Sequence, residues 1–117
     1  MDAEQLRTYC LSKNEAVETF PFGEDVRVFK VRGKVFALIP VSVSTSISLK
    51  CEPTWAQILR RSYRAISPGY HLNKEHWNTV ECDGSIPDEE ILGMVDHSYD
   101  RVVKNFPRNI RESLHEA

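Results

Sequence analysis

Cysteine is scarce in this chain of 117 residues, and so are glycine and long apolar runs. The three cysteines, Cys10, Cys51 and Cys82, are odd in number, widely spaced and contain no Cys-x-x-Cys pair. That excludes a disulfide framework and a thiol-rich zinc site, and leaves reduced thiols that serve as small buried hydrophobes. With five glycines there is no Gly-rich phosphate loop, and no Gly-x-Ser-x-Gly elbow or paired-carboxylate motif occurs. No stretch approaches the roughly 18 apolar residues of a membrane span. The start, Met1-Asp2-Ala3-Glu4-Gln5, is acidic and lacks a basic segment followed by an apolar one, so a secretory signal is not expected and the cytoplasm is the expected compartment.

What remains is an ordinary soluble composition, 41% hydrophobic and 27% charged, at a length that suits one domain over residues 1–117. The formal net charge of −2 conceals a segregation. Residues 26–80 hold nine basic groups against two acids, a local charge of +7. The flanking segments 1–25 and 81–117 carry −4 and −5. Charge gathered in this way bears on partners even when the total is near zero.

Apolar spacing predicts a short helix over residues 2–12 through Ala3, Leu6, Tyr9 and Cys10. Phe20-Pro21-Phe22-Gly23 reads as a turn whose phenylalanines lock the first helix onto the next segment of the chain. Two Val/Phe-rich runs, Val26–Arg32 and Val35–Pro40, flank Arg32-Gly33-Lys34 and predict a hairpin. Val41–Thr45 fits a turn or a bulge equally. Ser46–Cys51 alternates, with Ile47, Leu49 and Cys51 inward and Ser46, Ser48 and Lys50 outward, as in an antiparallel strand with one wet face.

Pro53 suits the first turn of a second helix with the stripe Ala56, Leu59, Tyr63 and Ile66, opposite Gln57, Arg60, Arg61 and Arg64, ending at Ser67-Pro68-Gly69. A strand centred on Trp77 is expected over His76–Glu81, then a turn at Asp83-Gly84. Ser85 with Asp88 resembles a capping signature for a last helix from Pro87 to about Asn105. The tail, Arg108–Ala117, is compatible with a helical turn or with fraying. This order of elements predicts an α+β two-layer sandwich, an antiparallel sheet packed against helices.

Several blocks of this chain resemble the MmcQ/YjbR family. They are Phe20-Pro21-Phe22-Gly23; Val28-Phe29-Lys30-Val31 with Lys34-Val35-Phe36-Ala37; Pro68-Gly69-Tyr70-His71-Leu72-Asn73-Lys74-x-His76-Trp77-Asn78-Thr79-Val80; Ile86-Pro87-Asp88-Glu89-Glu90-Ile91; and Ser98-Tyr99. The resemblance runs from about Leu6 to Val103. It implies a CyaY-like (YjbR-like), or double-wing, α+β fold and a role as a DNA-binding protein. It brings no catalytic residue, cofactor or metal. CyaY-like folds include the frataxins, which use acidic surfaces for iron, but Asp2, Glu4, Glu15 and Glu18 are too sparse for such a ridge here.

Two candidate sites emerge. Arg60, Arg61 and Arg64 on one helix face, Lys30, Arg32 and Lys34 at the hairpin, and Lys74 beside them suit phosphate contacts, because guanidinium forks pair with phosphate oxygens. They suggest weak, largely sequence-independent DNA binding without enzymatic activity. Against this stand the pI of 6.1 and the ordinary need of a helix for a solvated side. The alternative is a protein- or small-ligand-binding module around Tyr70, His71, His76 and Trp77. The bland reading there is that Tyr70 and Trp77 are core aromatics satisfied by polar neighbours. Neither thiol chemistry nor metal binding is expected, since Cys82 lies between Glu81 and Asp83 and the histidine spacing fits no helix face.

Overall fold

A computed structural model describes residues 1–116, the side chain of Glu116 excepted. Its elements, in chain order, are α1 (Ala3–Leu11), β1 (Ala16–Thr19), β2 (Val26–Val31), β3 (Lys34–Pro40), β4 (Ser46–Lys50), α2 (Pro53–Ser62), β5 (Ile66–Pro68), β6 (Trp77–Glu81), α3 (Asp88–Val103) and α4 (Arg108–Glu116). The six strands form one antiparallel sheet in the order β1-β2-β3-β4-β6-β5. The expected α+β architecture, a sheet under a layer of helices, is what forms.

Register sorts the side chains onto two faces. Opposed residues Phe29, Ala37, Leu49 and Asn78, then Ile39, Ile47, Val80 and Ile66, share the face under α1, α2 and α3. Nearly all of these are fully buried, and with Leu6, Val95, Tyr99 and Val103 they make the main core. The alternate residues face the other way: Val26, Pro40, Ser46 and Glu81 in one row and Val28, Leu38, Ser48 and Thr79 in the next, with Lys30 beyond them on β2, past a register shift at Phe29 and Lys30. Among the described elements, no helix covers this second face.

Local chemistry accounts for most element ends. Asp2 and Gln5 form a reciprocal capping box on α1, each side chain bonded to the other's backbone N–H. The hairpin turns on Arg32 and Gly33, both with positive φ, which matches the twist of the flanking strands. The Glu52 carboxylate accepts from the N–H groups of Thr54 and Trp55 to cap α2.

Four expectations are corrected. The second helix does not run to Ile66: Tyr63 is extended, and Ala65-Ile66 turns into edge strand β5, where Ile66 opposes Val80. Its apolar spacing read as a helix stripe, yet the same residue fills the same core from a strand, and Pro68 is tolerated because β5 is an edge. The strand β1 was not expected, since Ala-Val-Glu-Thr carries little signal and exists by pairing with β2. Ser85 does not cap α3: its N–H and hydroxyl both donate to Asp83, and Pro87 holds the N-cap position without a side-chain bond. Phe20 and Phe22 do not lock α1; both are exposed. The tail resolves in favour of helix, with Leu114 buried. No described helix is long and apolar enough to cross a membrane.

Candidate functional site

The seven cations that sequence grouped for phosphate contacts do not form one surface. The Lys30–Lys34 hairpin belongs to β2 and β3, whereas α2 packs against β5 and β6, with β4 between. Lys30 lies on the helix-free face past the register shift in β2, and Lys34, with Lys50, lies beside Val102, Asn105 and Phe106 at the end of α3. Arg32 is committed: its guanidinium forks onto Glu15 at 2.7 and 3.1 Å, a pairing that raises its pKa through the hydrogen bond and the carboxylate charge.

Arg60 is also committed, which corrects its assignment to the solvent side of α2. Its Nε donates to Asn78 Oδ1 at 2.6 Å, and its Nη2 donates to the carbonyls of Trp77, at 3.2 Å, and Lys74. Asn78 is 2% exposed and in turn donates to the Ala56 carbonyl. Arg60 is therefore the clasp between α2, β6 and the loop before it. The Lys74 ammonium donates to the Gly69 carbonyl. Arg61 is exposed in the last turn of α2, and Arg64, expected on the same helix face, is exposed beyond the helix end in the turn to β5, since α2 stops at Ser62; no hydrogen bond or ion pair engages either among the described residues.

The second candidate region is divided as well. Residues 69–76 leave β5, fold back over the sheet and return into β6. The Asn73 side chain accepts from the N–H groups of Glu75 and His76 and sets the turn. Gly69 is obligatory for this path: a Cβ there would lie 2.7 Å from Trp77 Cβ. Trp77 and His76 are half-buried under the loop, where the His76 carbonyl accepts from the Cys51 N–H. Tyr70 and His71 stand above it with ring centroids 4.0 Å apart, and His71 takes a positive φ of 57° to present its ring. The structure brings Tyr70 and His71 to one site and assigns His76 and Trp77 to its support.

That site is a groove of about 540 Å³ on the helix-free face. Its apolar floor is Val26, Leu38 and Pro40; Ser46, Ser48 and Thr79 continue it as a hydroxyl strip. Tyr70, His71 and Leu72 wall the β6 side, and Phe22 reaches in from the turn before β2. Glu81 is the one carboxylate of the lining, and neither Lys nor Arg lines it. Ser48 Oγ and Thr79 Oγ1, both buried, lie 2.9 Å apart, and Thr79 Oγ1 accepts the Tyr70 N–H at 3.2 Å. Phe22 and Tyr70 are each 72% exposed.

Sequence reasoning missed Phe22, Ser48, Thr79 and Glu81. The alternation that turned Ser46 and Ser48 away from the core was the available signal. The partner strand that completes the floor, β6, is some 30 positions away.

The thiols are unsuited to nucleophilic chemistry. Burial pushes Cys10 up to about 12, and Cys51 and Cys82 to about 11, the latter with Glu81 and Asp83 adding to the shift. Among the described residues no group of three His, Cys, Asp or Glu side chains is placed to hold a metal.

Comparison with known proteins gives a consistent relationship. The family model described as YjbR matches residues 11–101. The chain is 36% identical over 115 residues to the "Uncharacterized protein YjbR" of Escherichia coli (strain K12), covering 97% of this chain and 98% of that one. It superimposes on the crystal structure of Deinococcus radiodurans protein DR2400 with a TM-score of 0.91 at 36% identity, over 97% of this chain and 88% of that one. A crystal structure of a protein from Pseudomonas syringae gives a TM-score of 0.76 at 28% identity, over 86% of this chain and 98% of that one. With the match extending over most of its length in both sequence and fold, the chain belongs to the YjbR family.

Proposed function

We propose that the chain acts as one YjbR-like domain over residues 1–117, a non-enzymatic binding module that takes an amphipathic small ligand in the groove of its helix-free sheet face. The observation that carries this reading is the pair Phe22 and Tyr70, each 72% exposed, on the walls of a cavity with an aliphatic floor. A ligand that covers about 200 Å² of such apolar surface gains roughly 5 kcal/mol. Association costs take back most of this, so affinity in the high-micromolar range or weaker is expected before polar contacts are added. The groove's hydroxyls are bonded to one another and its imidazole is stacked on Tyr70, an arrangement that favours recognition over nucleophilic attack. Three free thiols fit a reducing compartment, and we take the cytoplasm as its location.

The test is a titration with small aromatic fragments followed by backbone amide shifts. The reading expects shifts confined to Phe22, Val26, Leu38, residues 70–72 and Thr79. Shifts elsewhere, or none, refute it.

Weak, largely sequence-independent DNA binding is the second reading, favoured by Arg61 and Arg64, which are exposed without partners among the described residues, with Lys74 near the same end of α2. With Arg32 and Arg60 engaged in the fold, about three phosphates are within its means, and log K should fall against log salt with a slope of about −2.7. An Arg61→Glu, Arg64→Glu variant should lose that binding and stay folded; retention of binding refutes the reading.

A further inference from the structure

The groove is not charge-neutral, and its chemistry points to a narrower class of ligand; the inference rests on the groove reading proposed for the function. Glu81 extends from β6 opposite Ser46 and two residues from Thr79, in the row nearest the Pro40 end. Its backbone N–H bonds Ala65, and among the described residues its carboxylate has no ion-pair partner. Of the cations nearby, Lys30 lies four residues along β2 from Val26, roughly 13 Å; Lys50 lines the cleft at the end of α3; and the Lys74 ammonium is held by the Gly69 carbonyl, outside the lining. Glu81 is therefore the one carboxylate of the lining, with no Lys or Arg among the lining residues, and its end of the groove repels a polyanion.

Tyr70 adds to the same preference. An exposed phenol ring presents a negative π-face, which attracts a cation directly. A carboxylate and an aromatic face on the same strand side form the two halves of an amine-binding corner. The hydroxyl strip sets the rest. Ser48 and Thr79 share one hydrogen bond between two hydroxyl protons, so whichever of them donates, one O–H remains for a ligand acceptor. Thr79 and Glu81 are two strand residues apart on one face, about 7 Å, a span that a fused bicyclic ring bridges.

We infer that the groove selects a planar aromatic ring bearing a cationic amine, with the ring over Leu38 and Pro40 against Tyr70 and the amine beside Glu81. The ligand is a free small molecule of the aryl-alkylamine type, and nucleic acid is disfavoured at this end of the sheet.

Tryptamine, indole and indole-3-acetate carry one ring with positive, zero and negative charge, and serve as probes. Affinities are read from amide shifts at about pH 8, above the ordinary imidazole range. The expected ranking is tryptamine over indole over indole-3-acetate, with steps of roughly fivefold per unit of charge, as for a water-exposed pair about 4 Å apart. Glu81→Gln should bring tryptamine down most of the way to the affinity of indole and leave indole unchanged, whereas Tyr70→Ala should weaken all three probes; both substitutions lie on the surface. Equal affinities, a reversed ranking, or a preference for tryptamine that Glu81→Gln leaves undiminished overturns the inference while the groove reading stands. Absence of shifts around Tyr70, His71 and Leu72 with every probe overturns both.

Discussion

Replacing Arg60 by alanine should destabilise the fold severely for a residue that its own helix presents as polar. The guanidinium makes three hydrogen bonds, to Asn78 Oδ1 and to the carbonyls of Trp77 and Lys74, of which the Trp77 carbonyl also accepts the Gly69 N–H at 2.8 Å. Bonds from a charged donor contribute about 1.5–3 kcal/mol each when buried, but part of this site is open to water. The dominant loss is at Asn78, which is 2% exposed and would keep an unsatisfied acceptor at a cost of about 1–3 kcal/mol. With the weaker carbonyl contacts added, Arg60→Ala should cost about 2–4 kcal/mol, a fall in Tm of roughly 8–16 °C for a chain of this length. Arg61→Ala, one position along and fully outside this network, should stay within about 0.5 kcal/mol. Urea melts followed by tryptophan fluorescence measure both. A double-mutant cycle with Asn78→Ala should show a coupling of at least about 1 kcal/mol. Arg60→Ala within about 0.5 kcal/mol of the parent, or equal losses for Arg60 and Arg61, would refute this role for Arg60. By the same geometry an Arg60→Glu, Arg61→Glu pair, attractive as a charge-reversal test of DNA binding, lowers stability as well, so a loss of binding in it could not be assigned to phosphate contacts.

The geometry sets three further outcomes. Gly69→Ala should cost about 1–3 kcal/mol and disorder the shifts of residues 70–76, because its Cβ meets Trp77 Cβ at 2.7 Å, whereas Gly93→Ala, in open space on α3, should add about 0.5–1 kcal/mol; thermal melts of the two should move in opposite directions. His97 is held neutral, with Nε2 accepting the Glu52 N–H and the ring edge-on to Trp55; burial and then Arg101 depress its pKa below the ordinary 6.5. A group whose folded pKa is depressed supplies stability above its unfolded value and loses it on acidification. Unfolding free energy should therefore decline as pH drops from about 6.5 through the folded value, and His97→Gln should flatten that segment of the curve. Cys10 and Cys51, both buried, should resist a disulfide reagent near pH 8 in the folded protein, with half-buried Cys82 reacting before them, and all three should react in urea, since burial raises their pKa to about 11–12; prompt labelling of Cys10 or Cys51 in the native state would contradict that burial.

Where the chain spoke clearly, the governing interactions were local. The Arg32-Gly33 turn makes its hairpin from its own backbone preferences, and the alternation of Ser46–Lys50 predicts which side of β4 turns to the helices before any partner strand is known, although Ser48, expected on a wet face, is buried against Thr79. Val26–Val31 and Lys34–Pro40 needed no more than their β-forming residues. Periodicity failed where two elements serve one core. Ile66 keeps helical spacing from Leu59 and Tyr63, and only its pairing with Val80 makes it a strand residue. Phe22 read as a packing residue because its neighbours are apolar, while the surface it faces belongs to strands downstream in the chain.

The sequence by itself determined the layered α+β class, the hairpin, the long helix α3 and, through its Pro-Gly-Tyr-His-Leu-Asn block, the family. These depend on spacing and turn chemistry over a few residues. Only the tertiary structure decided that Arg60 and Arg32 are spent on internal partners, that β1 and β5 exist, and that Phe22, Leu38, Ser48, Tyr70, Thr79 and Glu81 meet in one groove. Each of those is set by strand pairing between distant segments, whose cost and gain no local window contains.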